Sequence, residues 1–221
     1  MPVKYSAAEE NYVKSIYHLQ VNDEEGVSAS MLAQAVNTSA ASVTDMLKKL
    51  HVKKIINYKP YKNFSLTESG HKLAIDIVRK HRLWEYFLVD KLGFEWDEVH
   101  EIAEELEHIS SKELILRLEQ FLGNPTLDPH GDPIPDRHGK IRPVRQYKLD
   151  DLELKQLATV SSIKDQRPEM LEILDHYGIG IGTKIRVTRR FTADGSSEIR
   201  IEKKNATLIS AQVAATIFCT I

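Results

Sequence analysis

The chain has 221 residues, 42% hydrophobic and 28% charged, with 30 Lys and Arg against 32 Asp and Glu. That is material for one large domain or two or three small ones with real cores. No apolar run reaches the 18 residues of a membrane span, no signal-peptide segment opens MPVKYSAAEENYVK, and the lone Cys219 excludes an internal disulfide. The expectation is a cytoplasmic protein with no membrane partner. A formal charge of −2 does not in itself point to nucleic acid, so the distribution of charge matters more.

Ser6 and Glu9 form a capping box for a first helix reaching about Val21, with Tyr12, Val13, Ile16 and Leu19 as its apolar stripe. A loop follows at 22–26. Ser30 begins a short helix, 37–39 make a turn, and a second helix runs from about Ala40 to His51 with Val43, Met46, Leu47 and Leu50 inward. Two short helices around a tight polar turn describe a helix-turn-helix. Ser39, Ala41, Ser42, Thr44 and Asp45 are small or polar, which permits close approach to base edges.

Residues 55–58, a turn at 59–63, and residues 64–67 read as a β-hairpin wing. From Lys48 to Lys62 there are six lysines and no acid, the charge signature of phosphate contact. Lys48, Lys49, Lys59 and Lys62 are the expected contacts. The bland alternative is a solvated lysine face.

A helix or an in-line pair from Thr67 to Leu92 places His81 and Glu85 one turn apart. Trp96 to Leu118 then reads as one helix on which His100, Glu104, Glu107 and His108 fall within an arc of roughly 100°. Two imidazoles and two carboxylates on one stripe suit a divalent transition metal. The segment 95–107 also holds seven acids and no Lys or Arg, so it repels itself unless solvent or a cation intervenes. A solvated acidic face with incidental histidines is the alternative. Helices joined by so short a connection tend to pack antiparallel, bringing the two His/Glu clusters face to face.

Residues 123–143 hold five prolines and three glycines and form no regular element. They read as a linker; His130 and His138 with Asp128, Asp132 and Asp136 are a conceivable third metal site, but the favoured reading is that they are exposed and unpaired. Beyond it, 152–160 reads as a strand, 168–177 as a helix opening on proline, 184–191 and 198–202 as a hairpin, and 206–221 as strand, helical turn and strand. A small, partly open β-barrel fits. The fold class is α+β, with domains at 1–72, 73–123 and 144–221 and a proline-rich linker at 124–143.

The order of elements, with ENYVKSIY (10–17), SAASVTDMLKKL (39–50), LTESG (66–70), RKHRLWEYFL (79–88), VHEIAEELEHISS (99–111) and DPHGDPIP (128–135), resembles the diphtheria-toxin-repressor family of iron- and manganese-dependent bacterial transcriptional repressors. The similarity covers nearly the whole chain. It implies a winged helix-turn-helix, a helical metal-binding and dimerisation domain, and an SH3-like C-terminal barrel related to ferrous-transport accessory (FeoA-like) domains.

The resemblance also implies two metal positions. The primary one would use Asn11, Glu104, Glu107 and His108, and the ancillary one His81, Glu85 and His100, with Gln166 and Glu169 as candidates lent by the C-terminal domain. Iron-type members carry cysteine where Glu104 stands and methionine where Asn11 stands; manganese-type members carry glutamate and aspartate. Shorter manganese-type members have glutamate in place of Lys14. Carboxylate is harder than thiolate and suits Mn2+, so the chain looks like the longer manganese-responsive members, with Fe2+ as the alternative.

The expected function is a metal-activated repressor, not an enzyme, binding a palindromic double-stranded operator as a homodimer. Two rivals stand beside it. A metallohydrolase would use the His/Glu cluster to activate water, but the chain offers no separate nucleophile or oxyanion motif. A metal-independent winged-helix regulator would use the acidic helix only for dimerisation.

Overall fold

The computed structural model describes residues 4–22, 26–59, 62–142, 144–201 and 205–221. Parts of the expected loop at 22–26 and of the expected wing turn at 59–63 therefore lie outside the described residues. The chain divides into two compact units. The first comprises 1–81, 106–111 and 135–140; the second comprises 82–105, 112–134 and 141–221.

In the first unit, helix α1 (Ala7–Asn22) opens with the reciprocal cap read from the sequence: Ser6 N–H donates to Glu9 Oε2 at 2.9 Å and Glu9 N–H to Ser6 Oγ at 3.3 Å. Helix α2 (Ala29–Ala35) is capped by Ser28 rather than Ser30, and Ser39 caps α3 (Ala40–Val52). Strands β1 (Ile56–Asn57) and β2 (Ser65–Leu66) pair antiparallel as the wing. One core holds these elements together: Val13 and Ile16 of α1 pack with Leu32, with Val43, Leu47 and Leu50 of α3, with Ile55 and Phe64, and with Ala74 and Ile77. The last two lie on α4 (Glu68–Leu92), a single uninterrupted helix whose first turn is capped by Thr67 Oγ1, which accepts from Gly70 N–H at 3.1 Å.

The expected single helix from Trp96 to Leu118 is two. Helix α5 spans Val99–Leu106 and α6 spans Lys112–Phe121. Glu107 and His108 lie in the turn between them, not on a helical stripe. Trp84 and Leu88 are buried, whereas Leu114, Leu116 and Phe121 stay exposed.

In the second unit, β3 (Tyr147–Lys148), a 3-10 turn at Leu149–Asp151, β4 (Ala158–Ile163), α7 (Pro168–Tyr177), β5 (Lys184–Arg190), β6 (Ser197–Ile201), β7 (Ala206–Ile209), α8 (Ala211–Thr216) and β8 (Ile217–Thr220) follow in order. The strand expected at 152–160 starts later, at Ala158. The six strands form one antiparallel sheet in the order β3-β8-β4-β5-β6-β7. The sheet is not closed into a barrel, contrary to the sequence expectation. Among the described residues β3 pairs only with β8, over two residues, and β7 only with β6, so both edges remain open. Its inward face buries Val160, Ile163, Ile185, Val187, Ile199 and Ile217 against Met170, Leu171 and Leu174 of α7, with Trp96 packed on the same cluster.

The proline-rich stretch is packed rather than extended. Asp128 Oδ1 accepts from the backbone N–H of His130 at 2.9 Å and of Asp132 at 2.8 Å, closing a tight turn. Ile163 N–H donates to His130 O at 3.0 Å, fastening that turn to β4. Gly131 sits at φ +81°, and a Cβ there would stand 1.8 Å from the carbonyl oxygen of Ser161.

Gly131→Ala therefore meets both backbone strain and a clash with strand backbone. It should lower unfolding free energy by at least ~2 kcal/mol. Thermal denaturation of the two full chains tests this, and an unchanged midpoint would show that the turn is free to move off β4.

Candidate metal centre and nucleic-acid interface

Helix α1 presents Glu10, Asn11 and Lys14 from adjacent turns, α4 presents His81, and the turn after α5 presents Glu107 and His108. All of these belong to the first unit. Glu107 is fully buried, and its two oxygens have different surroundings. Oε2 accepts from Lys14 Nζ at 2.7 Å and from His81 Nδ1 at 2.6 Å. Oε1 has no hydrogen-bond partner and lies 4.0 Å from His108 Nε2. Burial pushes the Glu107 carboxyl up, but the His81 hydrogen bond and the Lys14 charge outweigh it and hold the group below the usual carboxylate range.

His108 donates through Nδ1 to Glu10 Oε2 at 2.6 Å. A carboxylate on one ring nitrogen fixes the tautomer and raises the basicity of the other, the usual support for a metal-binding imidazole. Asn11 Oδ1 is also buried without a hydrogen-bond partner. A buried acceptor left unsatisfied costs about 1–3 kcal/mol. Glu107 Oε1 and His108 Nε2, 4.0 Å apart, are an oxygen and a nitrogen of the kind a divalent cation takes, and Asn11, next to Glu10 on α1, offers a further buried oxygen.

In the second unit, Glu85 is 1% exposed. Its Oε1 lies 3.4 Å from His100 Nδ1 and 3.8 Å from His130 Nε2, and His100 Nε2 lies 3.6 Å from Glu104 Oε1. Of the expected ancillary set, Glu85 and His100 meet here; His81 belongs to the first unit, and its Nδ1 is the nitrogen on Glu107. His130, expected to be exposed, is fully buried and stacked on Trp96 with ring centroids 5.7 Å apart. Beside it, Arg82 donates through Nη1 to Pro133 O at 2.6 Å, and its Nε lies 3.4 Å from Asp128 Oδ2. Burial, with the nearby charges of Glu85 and Asp132, pushes the Asp128 carboxyl well above its ordinary value. Asp132 pairs with Lys164 and accepts from Gln166 Nε2 at 3.4 Å, so the Gln166 amide is engaged; Glu169 is exposed in the first turn of α7.

Three residues of these clusters escaped sequence reasoning. Glu10 was available as the carboxylate beside Asn11, and an acid next to a proposed ligand is the natural partner for an imidazole's second nitrogen. Lys14 stood out only as a departure from a pattern. His130 was discounted because composition says where backbone is irregular, not where side chains are buried.

On the opposite chemistry, Ser39, Ala41, Ser42, Asp45, Lys48 and Lys49 are exposed along α3, and Lys59 and Lys62 are exposed at the wing. Thr44 is half-buried and donates its hydroxyl to Ala40 O at 2.8 Å. Asp45 and Lys48 face each other at 3.2 Å. Lys53 pairs with Glu9 at 2.7 Å, and Lys54 adopts φ +60° and turns its carbonyl to the hydroxyls of Thr67 and Ser69.

The Glu107 cluster makes metal-free stability depend on pH. A carboxyl held below its ordinary value of 4.5 contributes stability that is present above that pH and is lost as pH falls through the lowered folded value. Between about pH 5 and pH 3, the wild-type chain should lose more unfolding free energy than Glu107→Gln. Denaturant titrations at a series of pH values measure this, and parallel losses would mean that the pair contributes nothing.

The comparisons with known proteins agree with this layout. Residues 4–64 match the family described as the iron dependent repressor, N-terminal DNA binding domain, and residues 67–136 its metal binding and dimerisation domain; residues 147–221 match the FeoA domain. The iron-dependent repressor IdeR of Mycobacterium tuberculosis is 38% identical over 128 residues, 57% of this chain and 54% of that protein. The chain thus spans about half the length of the mycobacterial relatives it matches. Among solved structures, a manganese-dependent transcriptional repressor in complex with manganese is similar at a TM-score of 0.86 and 33% identity, over 96% of this chain and 98% of that one. The manganese regulator SloR is similar at 0.77 and 30%, over 96% and 97%. Motifs, fold and relatives converge, and the chain belongs to the diphtheria-toxin-repressor family of metal-dependent transcriptional repressors.

Proposed function

We propose that this chain is a metal-activated transcriptional repressor that binds a double-stranded operator as a homodimer. The observation that carries the reading is the buried Glu107 Oε1, without a hydrogen-bond partner and 4.0 Å from the supported imidazole of His108. Asn11, Glu107 and His108 are the donors assigned to the primary position. Glu104 as a fourth donor, and His81, Glu85 and His100 as an ancillary set, follow from the family resemblance. When bound, the metal supplies a divalent charge to these donors and no redox or hydrolytic step is needed. The all-oxygen-and-nitrogen set favours Mn2+ as the activating ion over a thiolate-preferring one, with Fe2+ the alternative.

The exposed start of α3 is assigned to base edges, and Lys48, Lys49, Lys59 and Lys62 to phosphates. The exposed Leu114, Leu116 and Phe121 of α6 supply an apolar patch for a two-fold contact. Such a dimer presents two reading helices to half-sites about 10 bp or a multiple apart. Family membership removes the ground for a metallohydrolase, because the matched segments are described by DNA binding, metal binding and dimerisation.

Two outcomes test the proposal. Glu107→Ala and His108→Ala should abolish Mn2+-dependent operator binding, read by gel shift with and without chelator, while circular dichroism stays that of a folded chain. Metal activation at the wild-type level in either variant would remove these donors. Operator affinity should also fall steeply with salt, and changing Lys59 and Lys62 together to Ala, which removes both contacts from each protomer of the dimer, should flatten the log–log slope by roughly three to four units. An unchanged slope would place the phosphate contacts elsewhere.

A further inference from the structure

The asymmetry at Glu107 concerns a residue that the metal reading does not use. Lys14 is 8% exposed, and its ammonium is held 2.7 Å from Glu107 Oε2 in the same enclosed space where Oε1 is left without a hydrogen-bond partner. It lies three residues after Asn11 on α1, so the helix that offers an amide donor also inserts a fixed positive charge. We propose that Lys14 sets the affinity of the primary metal position. It occupies Glu107 Oε2 together with His81, leaves Oε1 as the oxygen open to an ion, and sets the metal concentration at which the site fills. The inference rests on assigning Glu107 as a metal donor.

The physical case has two parts. Without metal, the ammonium compensates a carboxylate that is wholly removed from water, so the site is closed by an internal cation rather than left as an uncompensated buried charge. With metal, the same ammonium is a like charge beside the incoming ion and competes for the same carboxylate, and in a buried site that repulsion is only weakly screened. Lys14 therefore stabilises the empty site and weakens the filled one. A purely structural ion pair behaves differently, since its loss would loosen the site and weaken metal binding along with the fold.

The opposite signs make the test. The metal-free full chain and its Lys14→Met, Lys14→Gln and Lys14→Arg variants are titrated with Mn2+ alone by calorimetry, and their thermal midpoints are recorded with and without Mn2+. Lys14→Met and Lys14→Gln should lower the metal-free midpoint yet tighten Mn2+ binding tenfold or more. Lys14→Arg, which keeps the charge, should bind within about threefold of wild type. Equal or weaker Mn2+ binding in Lys14→Met and Lys14→Gln would overturn the proposal. So would a Lys14→Met chain that folds neither without nor with Mn2+, which would make the residue structural. No Mn2+ binding by the wild-type chain would instead remove the metal reading of Glu107, and this inference with it.

Discussion

The first unit depends on one buried carboxylate. Glu107 carries a negative charge with no exposure to solvent, and such a charge is tolerated only where donors meet it. Lys14 comes from α1, His81 from α4, and Glu107 itself from the turn after α5, so its hydrogen bonds join three segments distant in sequence. The hydrophobic core of the unit fixes where α1 and α4 lie, through Val13, Ile16, Ala74 and Ile77. Apolar packing is non-directional, whereas the hydrogen bonds at Glu107 specify register. Sliding α1 by one residue would turn Lys14 by about 100° and leave the carboxylate without its cation.

How far the sequence disclosed this varies by element. The helix-turn-helix was legible almost to the residue, because its helices carry side-chain caps at Ser6 and Ser39 and a clean apolar stripe at Val43, Leu47 and Leu50. The break between α5 and α6 was not read, although Ser110 and Ser111 stand just before Lys112 and Glu113 as a start signal. The His/Glu periodicity ran through it unbroken and outweighed it. The stripe of His100, Glu104, Glu107 and His108 read from the sequence does not form: His100 and Glu104 lie on α5, whereas Glu107 and His108 meet α1 from the turn after it. Alternation along β5 and β6 showed which face is buried. It could not show whether β3 and β7 pair with each other, because closure depends on contacts between strands far apart in sequence. In the proline-rich stretch, composition correctly excluded regular structure but said nothing of burial, which comes from Asp128 drawing two backbone N–H groups into a turn against β4.

Charge is segregated in a way that the near-neutral total conceals. The wing and the end of α3 expose Lys48, Lys49, Lys59 and Lys62, whereas α5 and its flanks expose Glu95, Glu98, Glu101 and Glu105. The first set matches a polyanion and the second repels one. A chain of balanced charge can thus carry a nucleic-acid-binding face provided that its acids are gathered elsewhere. Lys53 shows the limit of counting charges along a sequence: it is neutralised by Glu9, so the run of six lysines overstates the charge presented for phosphate contact.

The same helix connects the two chemistries of the proposed function. On one side α1 carries Glu10, Asn11 and Lys14 to the Glu107 cluster; on the other it buries Val13 and Ile16 in the core shared with α3. Adjacent positions on a helix point about 100° apart, so donor and core residues alternate within a single turn and cannot shift independently. An ion held by Asn11, Glu107 and His108, as proposed, would add a second cation at the Glu107 carboxylate and change the forces on α1, and well-packed cores transmit such strain rather than absorb it. An ion acts on the reading helix only to the extent that it binds the competent arrangement more tightly than the other, and the operator must then raise metal affinity by the same factor. Lys14 enters that balance on the side of the empty site. The threshold for activation is therefore a difference between two cations competing for one carboxylate, one supplied by the chain and one by the cell.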